Sequence, residues 1–429
     1  MKARVSGWGL FPRGETRLLP IDRALEFAGS GVARGAGRSY GDASFRSKGF
    51  TYLTNTLRHF IDFDPEKGVL TVEGGVTLYE VIQIFLPQGW FPAVVPGTQF
   101  VTIGGAIASN IHGKNHHLEG SFCDHVEWID ILLADGEVRR LTPADELFWA
   151  TAGGMGLTGV ILRAALRLVR IPTSFVWNTT YKTSTIDKAL EILLAEDEKY
   201  PFAVAWVDHA DLGGRSVVHL GRWADNSEIP SPFRLFQAYP AEKLSVPFMP
   251  PFRLINGLSV RTIGWFYWLT NPEGSYLVPY HKYFFPLDGI RNWNRAWGPE
   301  GFIQFQFVVP EIEDLLALWK SLRAVPARSF LTVVKRLGLQ KGPLAFSGPG
   351  WTLAIDLPNT EAVRRALLSL YHQVAERSGR IYLTKDSLLT SELFRAMYPE
   401  WKAFLAQKAQ VDPGGRWASD LSRRIGLTE

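Results

Sequence analysis

A glycine-rich segment near the start of the chain has the residue types of an anion-binding loop. Residues 34–42 read RGAGRSYGD and follow the short apolar run at 31–33. Glycines allow consecutive backbone N–H groups to converge on an anion, and arginine and serine side chains add donors. Taken alone, the segment is explained equally well as a surface turn.

A second small-residue stretch occupies residues 96–117. It contains PGT at 96–98, GGAIASN at 104–110 and HGKNHH at 112–117. Because glycine, alanine and serine let the backbone approach a ligand closely, the stretch favours a large flat ligand. His112, His116 and His117 raise the alternative of a metal site, but H-E-x-x-H and a nearby thiolate are absent and Gly113 disfavours a helix. The sequence therefore predicts no metal.

The segment GMGLTG at 154–159 matches the letters of a dinucleotide-binding G-x-G-x-x-G loop. Such a loop follows a strand, opens a helix and has an acidic residue about 20 residues later. Here residues 146–151 are predicted to be helical, residues 160–169 form a predicted strand, and the first acid downstream is Asp187. The order is reversed, so we interpret these glycines as a tight connection from helix to strand.

The elements that must position these loops alternate along the chain. Periodicity predicts helices at 78–85, 185–198, 311–323, 360–378, 388–397 and 400–407. It predicts strands at 69–73, 126–133, 138–141, 160–169, 203–207, 302–309, 330–334 and 352–357. Asp135-Gly136 predicts a hairpin turn. Interspersed strands and helices indicate an α+β fold.

Composition excludes several classes of protein. The 429 residues predict two or three domains, and 46% hydrophobic with 21% charged residues excludes widespread disorder. The apolar runs fall short of the ~20 residues of a membrane span, and no secretory signal is visible. Cys123 is the single cysteine, which excludes an intrachain disulfide and fits a reducing compartment. A net charge of +4 indicates no nucleic-acid partner.

Together the segments resemble the flavin-binding half of the vanillyl-alcohol-oxidase and p-cresol-methylhydroxylase family of FAD oxidoreductases. Within it, the chain is similar to the decaprenylphosphoryl-β-D-ribose 2′-oxidases. That resemblance is carried by blocks that run in order from residue 35 to 424, among them GRSYGDAS, VVPGTQFVTIGGAIASNIHGKNHHLEGSF, ELFWATAGGMGLTGVILRA, NRAWGPEGFIQFQFVVP, GPGWTLAIDLP, YLTKDSLLTSELFRAMYP and VDPGGRWASDLSRR. Residues 174–280 match weakly.

The resemblance implies an α+β fold with a two-piece FAD-binding domain of the p-cresol-methylhydroxylase type. Residues 1–173 and 380–429 would form that domain. Residues 174–379 would form an inserted α+β substrate-binding domain built on an antiparallel sheet. Many relatives attach FAD covalently through a histidine where this chain has Arg38. We therefore expect noncovalent FAD, with Cys123 and His125 as the alternative attachment sites.

The resemblance also implies residue roles. It makes Lys385 and His112 catalytic, and it assigns substrate contacts to Lys114, Gln306, Lys335 and Thr352. The implied FAD contacts are Arg34, Gly35, Ala36, Gly37, Arg38, Ser39, Tyr40, Pro96, Gly97, Thr98, Gly104, Gly105, Ser109, Asn110, Gly113 and Ile161. Thr352 and Ala354 stand where known members have asparagine and cysteine, which leaves the sugar or lipid specificity open.

The implied function is FAD-dependent oxidation of a secondary sugar alcohol to a keto sugar, on a polyprenyl-phosphate-linked pentose. This would be the first half of a 2′-epimerisation, and a separate NAD(P)H-dependent keto-reductase would be the pathway partner. One alternative is a soluble sugar-alcohol or aldonolactone oxidase on the same fold. Another is a noncatalytic flavin-binding protein.

Residues 228–283 combine prolines, aromatics and basic side chains, which predicts a mobile cover that meets a membrane surface. The apolar contacts would come from Phe233, Phe236, Phe248, Phe252, Trp265 and Trp268, and the headgroup contacts from Arg234, Lys243, Arg253 and Arg261. The alternative is that these aromatics pack the core of the second domain. We expect a cytoplasmic protein with peripheral, reversible membrane contact.

Overall fold

The computed structural model describes residues 2–26, 28–240 and 244–429, so Lys243, one of the predicted headgroup cations, lies outside the described residues. Strands β1 to β10 span Lys2–Ser6, Arg13–Pro20, Gly31–Arg34, Phe50–Leu53, Phe60–Asp64, Val69–Glu73, Trp90–Pro92, Val126–Leu132, Val138–Leu141 and Val160–Arg170. Helices α1 to α4 span Leu78–Phe85, Ile103–Ala108, His116–Glu119 and Glu146–Thr151. Short 3₁₀ turns cover Ile21–Arg23, Leu86–Gln88 and Phe122–His125.

These strands form a mixed sheet in the order β1-β2-β4-β3 and an antiparallel sheet in the order β5-β6-β10-β8-β9, with β7 also paired to β10. Helix α1 shows why a local sequence pattern is sufficient to predict a helix at 78–85. Thr77 and Glu80 form a reciprocal capping box at its start, and the apolar side chains at one helical face are buried. The predicted hairpin between β8 and β9 is confirmed.

The second half of the chain contributes β11 to β20, which span Phe175–Thr183, Phe202–Val207, Ser216–Trp223, Leu244–Ser245, Gly274–Pro279, Ile290–Arg291, Phe302–Val309, Thr332–Leu337, Gly350–Pro358 and Arg380–Ile381. Helices α5 to α9 span Ile186–Glu196, Gly257–Thr270, Tyr280–Phe284, Ile312–Arg323 and Glu361–Glu376. Helices α10 to α12 span Ser391–Met397, Trp401–Val411 and Asp420–Arg424. Further 3₁₀ turns cover Asp197–Lys199, Asn226–Glu228 and Trp293–Trp297.

A large antiparallel sheet runs through this half in the order β15-β11-β13-β12-β18-β19-β17-β20. Side chains on successive strand residues point to opposite faces. One face of β17 and β19 is apolar and buried beneath α8 and α9, through Phe305, Phe307, Leu353 and Ile355. The mixture of helices with antiparallel sheets confirms the predicted α+β fold class.

Two differences from the predicted elements have simple causes. The strand expected at 330–334 runs instead over Thr332–Leu337, because its pairing with β19 extends to Gly350. Helix α6 was not predicted as a helix, since its apolar residues are distributed around the whole helix and leave no polar face to mark the period. Helix α4 precedes the 154–159 loop and β10 follows it, as the reversed order indicated.

The C-terminal helices return to the first half of the chain. The Gly31 N–H donates to Arg416 O at 2.8 Å, and the Ala418 N–H donates to Gly31 O at 2.9 Å. The ring of Trp417 meets that of Tyr52 edge-on, with centroids 5.9 Å apart. These contacts support the proposal that residues 1–173 and 380–429 form one domain, with 174–379 inserted between its pieces.

Candidate active site

A cavity of about 850 Å³, counted with its mouth, lies where the two glycine-rich segments meet. Its wall is rich in glycine, alanine and serine, and a side chain at Gly35 would collide with Thr102. Gly37 has a φ of +66°, a conformation in which other residues are strained. Cofactor sites typically occupy roughly 300–1,000 Å³. The small residues of the wall, which allow close approach of the backbone, therefore fit FAD.

The predicted FAD contacts divide into two groups. Those that line the cavity are Gly35, Ala36, Gly37, Arg38, Ser39, Gly104, Gly105, Ser109 and Ile161. Those outside its lining are Arg34, Tyr40, Pro96, Gly97, Thr98, Asn110 and Gly113. The Arg34 guanidinium donates to Ser6 O at 2.8 Å and to Ser44 Oγ at 3.0 Å. Arg34 therefore stabilises the loop instead of lining the cavity.

Sequence analysis missed part of the cavity wall. The additional lining residues are Ala33, Ala43, Ser44, Thr54, Val101, Thr102, Ala108, Ile111, Met155, Gly156, Gly159, Val160 and Thr384. Met155, Gly156 and Gly159 belong to the 154–159 loop, so that loop is a connection and also a cavity wall. The glycine spacing of this loop was the sequence signal that could have placed it at the cavity. Thr384 has no such local signal, and it brings the neighbouring Lys385 to the edge of the cavity.

Beside the cavity, adjacent strands of the large sheet turn polar side chains to one face. Lys335 on β18 lies opposite Thr352 on β19. Gln304 on β17 lies opposite Asp356 on β19, and Gln306, two residues further along the same face of β17, lies opposite Ala354. We call this the polar face. Gln304 and Asp356 were missed, although the alternation QFQF and TLAID would have placed them beside Gln306 and Thr352.

The polar face continues across the sheet beneath helix α6. Asn178 Nδ2 lies 3.2 Å from His219 Nδ1, and His219 Nε2 lies 3.2 Å from the hydroxyl of Tyr267 on α6. Thr180 Oγ1 lies 3.1 Å from the hydroxyl of Tyr276. Burial, together with the nearby charge of Lys114, lowers the pKa of His219 to about 4. This imidazole is therefore neutral and serves as a structural hydrogen-bonding group.

His112, on the small-residue segment 96–117, connects that segment to the polar face. The Gln306 amide nitrogen lies 3.0 Å from His112 Nε2 and 3.0 Å from Thr352 Oγ1, and Thr352 Oγ1 donates to Phe307 O at 2.7 Å. The imidazole of His112 also stacks on Phe346, with centroids 5.6 Å apart. Burial and the positive charges of Lys335, His116 and Lys385 hold the pKa of His112 well below its usual value.

Three lysines converge on this region. Lys114 Nζ donates to Tyr283 O at 2.9 Å, and Lys335 Nζ donates to Gly113 O at 3.3 Å. Burial lowers the pKa of Lys114 to about 7. Burial and the charges of Lys385 and Lys114 lower the pKa of Lys335 to about 7. Within the described chain no carboxylate forms a salt bridge with these lysines, so together they favour an anion.

Lys385 has a carboxylate in its electrostatic surroundings. Burial lowers its pKa to about 8, and the charge of Asp356 acts in the opposite direction. Burial raises the pKa of Asp356 to about 7, against a hydrogen bond from Gln304 and the charge of Lys385. The Lys385 ammonium also lies 5.5 Å from the centroid of the Tyr40 ring. Lys385 can therefore exchange a proton near neutral pH.

The backbone that carries Lys385 is held from several sides. Asp386 accepts a hydrogen bond from Tyr371 at 2.8 Å and one from Arg424 at 2.8 Å. Arg424 also donates to both carboxylate oxygens of Asp42, at 2.7 and 3.0 Å. A side chain at Gly41 would collide with Asp386 O. This network ties the first glycine loop to the Lys385 segment and limits the freedom of Lys385.

The two other histidines of the 112–117 segment and the single cysteine have separate structural partners. His116 Nε2 lies 2.8 Å from Ser121 Oγ, and its Nδ1 accepts from the Gly338 N–H at 2.9 Å. His117 Nε2 lies 2.9 Å from Asp197 O. Among the described residues no cluster of His, Cys, Asp and Glu could hold a metal. The buried Cys123 thiol contacts Ile107 O at 3.5 Å, and burial raises its pKa.

Comparison with known proteins gives relatives over most of the chain. Residues 22–142 match the family described as FAD binding domain. The chain is 36% identical over 425 residues to the decaprenylphosphoryl-β-D-ribose oxidase of Mycolicibacterium smegmatis, across 95% of this chain and 92% of that protein. It is 33% identical over 372 residues to an uncharacterised protein of Streptomyces coelicolor, across 82% of this chain and 100% of that protein. A Δ(24)-sterol reductase of Pisum sativum is 29% identical over 199 residues, across 43% of this chain and 34% of that protein.

Proposed function

The chain belongs to the decaprenylphosphoryl-β-D-ribose oxidase family of FAD-binding oxidoreductases, and from that premise we propose that it oxidises a secondary hydroxyl of a polyprenyl-phosphate-linked ribose to the ketone. The observation that carries the substrate class is the convergence of Lys114, Lys335 and Lys385 beside the FAD cavity. A neutral sugar gives no reason to gather three half-buried lysines, whereas a phosphate group does.

Oxidation of the alcohol removes a hydride from carbon and a proton from oxygen. FAD, when bound, supplies the two-electron chemistry by accepting the hydride. We assign the proton to Lys385, because its pKa of about 8 leaves a neutral fraction at physiological pH. The ammonium that results is stabilised by the charge of Asp356. His112 is the weaker base, since its surroundings hold its pKa well below the usual value.

The two other lysines suit the phosphate of the substrate. Lys114 and Lys335 have pKa values of about 7, and an anionic oxygen between them would favour their charged forms. Gln306 and Thr352 are committed mainly to contacts within the protein. We therefore assign them to shaping the sugar pocket, with the buried Gln306 carbonyl oxygen as the acceptor that remains for a sugar hydroxyl.

The decisive test is anaerobic mixing of the FAD-loaded protein with polyprenyl-phosphate ribose. We expect bleaching of the flavin absorbance and a product 2 Da lighter by mass spectrometry. Free ribose, sugar alcohols and aldonolactones serve as comparison substrates. Bleaching by those soluble compounds at equal or greater rate would favour a soluble sugar oxidase, and no bleaching by any of them would favour a noncatalytic flavoprotein.

The product of this reaction needs a second enzyme. A keto sugar has lost the configuration at the oxidised carbon, so reduction from the opposite face would complete an inversion. We propose that an NAD(P)H-dependent keto-reductase consumes the product. Addition of such a reductase with NAD(P)H should convert the ketone to the epimer, detectable by chromatography of the released pentose.

We also propose that the enzyme meets its lipid substrate at an anionic membrane surface. None of the helices within the described ranges combines the length and apolarity needed to cross a bilayer. Helix α6 nevertheless leaves large apolar side chains in solvent, with Leu258 76% and Phe266 60% exposed. Residues 244–270 contain two basic residues, Arg253 and Arg261, and no acidic residue. Exposed apolar area with positive charge suits anionic headgroups.

The predicted membrane aromatics fall into two classes. Phe233, Phe248, Phe252 and Trp265 are exposed, whereas Phe236 and Trp268 are half-buried. The end of the segment does not behave as a mobile cover, because β15 pairs with β11 and both Tyr280 and Tyr283 are buried. The membrane proposal therefore rests on residues 244–270. Tyr267 faces His219 from the same helix, which connects the exposed surface to the polar face.

A further inference from the structure

The hydrogen bonds around Gln306 decide which nitrogen of His112 carries the proton. The Thr352 hydroxyl donates to the Phe307 carbonyl at 2.7 Å, so its oxygen presents lone pairs to Gln306 at 3.0 Å. A hydroxyl has one proton to donate, and the atom of Gln306 that faces it must then be the amide NH₂. The same NH₂ lies 3.0 Å from His112 Nε2.

An NH₂ group can only donate, so His112 Nε2 must accept. A neutral imidazole with one accepting nitrogen carries its proton on the other, which here is Nδ1. Neutrality follows from burial among Lys335, His116 and Lys385, which lowers the pKa of His112. His112, Gln306 and Thr352 are 7%, 1% and 1% exposed, so bulk water does not compete for these bonds.

We propose that Thr352 is a positioning residue that acts through Gln306 to hold His112 as its Nδ1–H tautomer. In this state Nε2 is not available as a proton acceptor, and Nδ1 is a donor. No residue in the described chain hydrogen-bonds to His112 Nδ1, nor to the carbonyl oxygen of Gln306. His112 therefore keeps one buried donor and Gln306 one buried acceptor for hydrogen bonds that the protein does not make.

The tautomer can be measured without substrate, so the measurement stands whether or not the proposed oxidation is correct. The FAD-loaded protein labelled with ¹⁵N-histidine is examined by long-range ¹H–¹⁵N NMR, and the His112 signals are identified by their loss in His112→Gln. We expect Nδ1 in the protonated range and Nε2 in the unprotonated range. A protonated Nε2 in the wild type would overturn the proposal.

Two substitutions separate positioning from packing. Thr352→Val keeps the shape but removes the hydroxyl, so the Gln306 amide is free to turn and its carbonyl oxygen can accept from Nε2–H. We expect a shift toward the Nε2–H tautomer. Thr352→Ser keeps the hydroxyl and should keep the wild-type pattern. An unchanged tautomer in a folded Thr352→Val protein would show that Thr352 does not control His112.

The functional consequence rests on the proposed function and is read separately. The rate of flavin reduction should fall by roughly tenfold in Thr352→Val, the size of one net hydrogen bond, and recover in Thr352→Ser. Substrate KM should change less than the rate. If the tautomer shifts as expected but no substrate reduces the flavin even in the wild type, the oxidase assignment fails and the positioning role of Thr352 stands.

Discussion

The buried Asp356 and the half-buried Lys385 are electrostatic neighbours, and the charge of each shifts the pKa of the other in the direction that favours its charged form. Asp356 lies on β19 and Lys385 follows β20, so strands of the large sheet bring them to the same site. Burial lowers the pKa of Lys385 to about 8, and the Asp356 charge limits that decrease. Removal of the Asp356 charge should therefore lower the pKa of Lys385 further.

Asp356→Asn should move the pH profile of flavin reduction to lower pH. Lys385 must be neutral to accept the hydroxyl proton, so the rate should rise with pH around its pKa of about 8. Asp356 raises that pKa, and its removal lowers it. Stopped-flow reduction between pH 6 and 10 measures the shift. The exposed Asp187→Asn is the matched control, and a midpoint that stays near 8 in Asp356→Asn would contradict this coupling.

Lys385→Ala should abolish most flavin reduction while preserving the fold and much of the FAD binding. The loss should be on the order of 10²–10³ in rate, the usual effect of removing a group that acts in the transition state. Single-turnover reduction measures it, and circular dichroism and bound flavin report on folding. Lys320→Ala, on the outer face of α8, is the control. Reduction at near wild-type rate would remove Lys385 from the mechanism.

Substrate affinity should weaken as the pH rises through 7. The pKa values of Lys114 and Lys335 are lowered to about 7, so their charge is present below that pH and is lost above it. KM for the phosphate-linked substrate should therefore rise by roughly tenfold between pH 6 and 9, about one ion-pair contact. Lys335→Met should flatten this dependence, whereas Lys320→Met should not. A pH-independent wild-type KM would show that these lysines do not bind the phosphate.

FAD should be released when the protein is denatured with acid. Arg38 cannot form the covalent link that a histidine makes, and its guanidinium lies 4.0 Å from the Trp8 ring centroid. Cys123 is buried with a raised pKa, and His125 Nε2 lies 3.1 Å from Glu119 O. The supernatant should be yellow and the pellet colourless. Flavin retained on a Cys123 or His125 peptide would require a covalent assignment.

Removing exposed apolar side chains from α6 should weaken binding to anionic vesicles. Trp265 and Phe266 are 53% and 60% exposed, and their replacement by serine should leave the core intact. Turnover of long-chain substrates should fall while that of short-chain analogues is kept. Leu194→Ser, 54% exposed on α5, is the control. Failure of the wild type to sediment with phosphatidylglycerol vesicles, or equal loss on both substrates, would contradict the membrane proposal.

Local sequence patterns were sufficient to predict several elements of this protein. Glycine spacing marked residues 34–42 and the small-residue stretch 96–117 as segments that approach a ligand, because glycine acts through its own backbone. Helix α1 and the β8–β9 hairpin followed from caps, periodicity and turn residues that lie within a few positions of one another. The resemblance of motifs added FAD and the oxidase family, both of which the comparisons support.

Contacts between distant residues were decided by the tertiary structure. Gln306 and His112 are 194 positions apart, and the Gln306 amide that contacts His112 also contacts Thr352 on a neighbouring strand. The pKa of Lys385 depends on Asp356, and the exposure of α6 depends on where the helix meets the sheet. Burial and charge are properties of the surroundings, so no local sequence pattern determines them. The burial and the electrostatic surroundings of a residue are fixed only when the strands pair in the folded sheet.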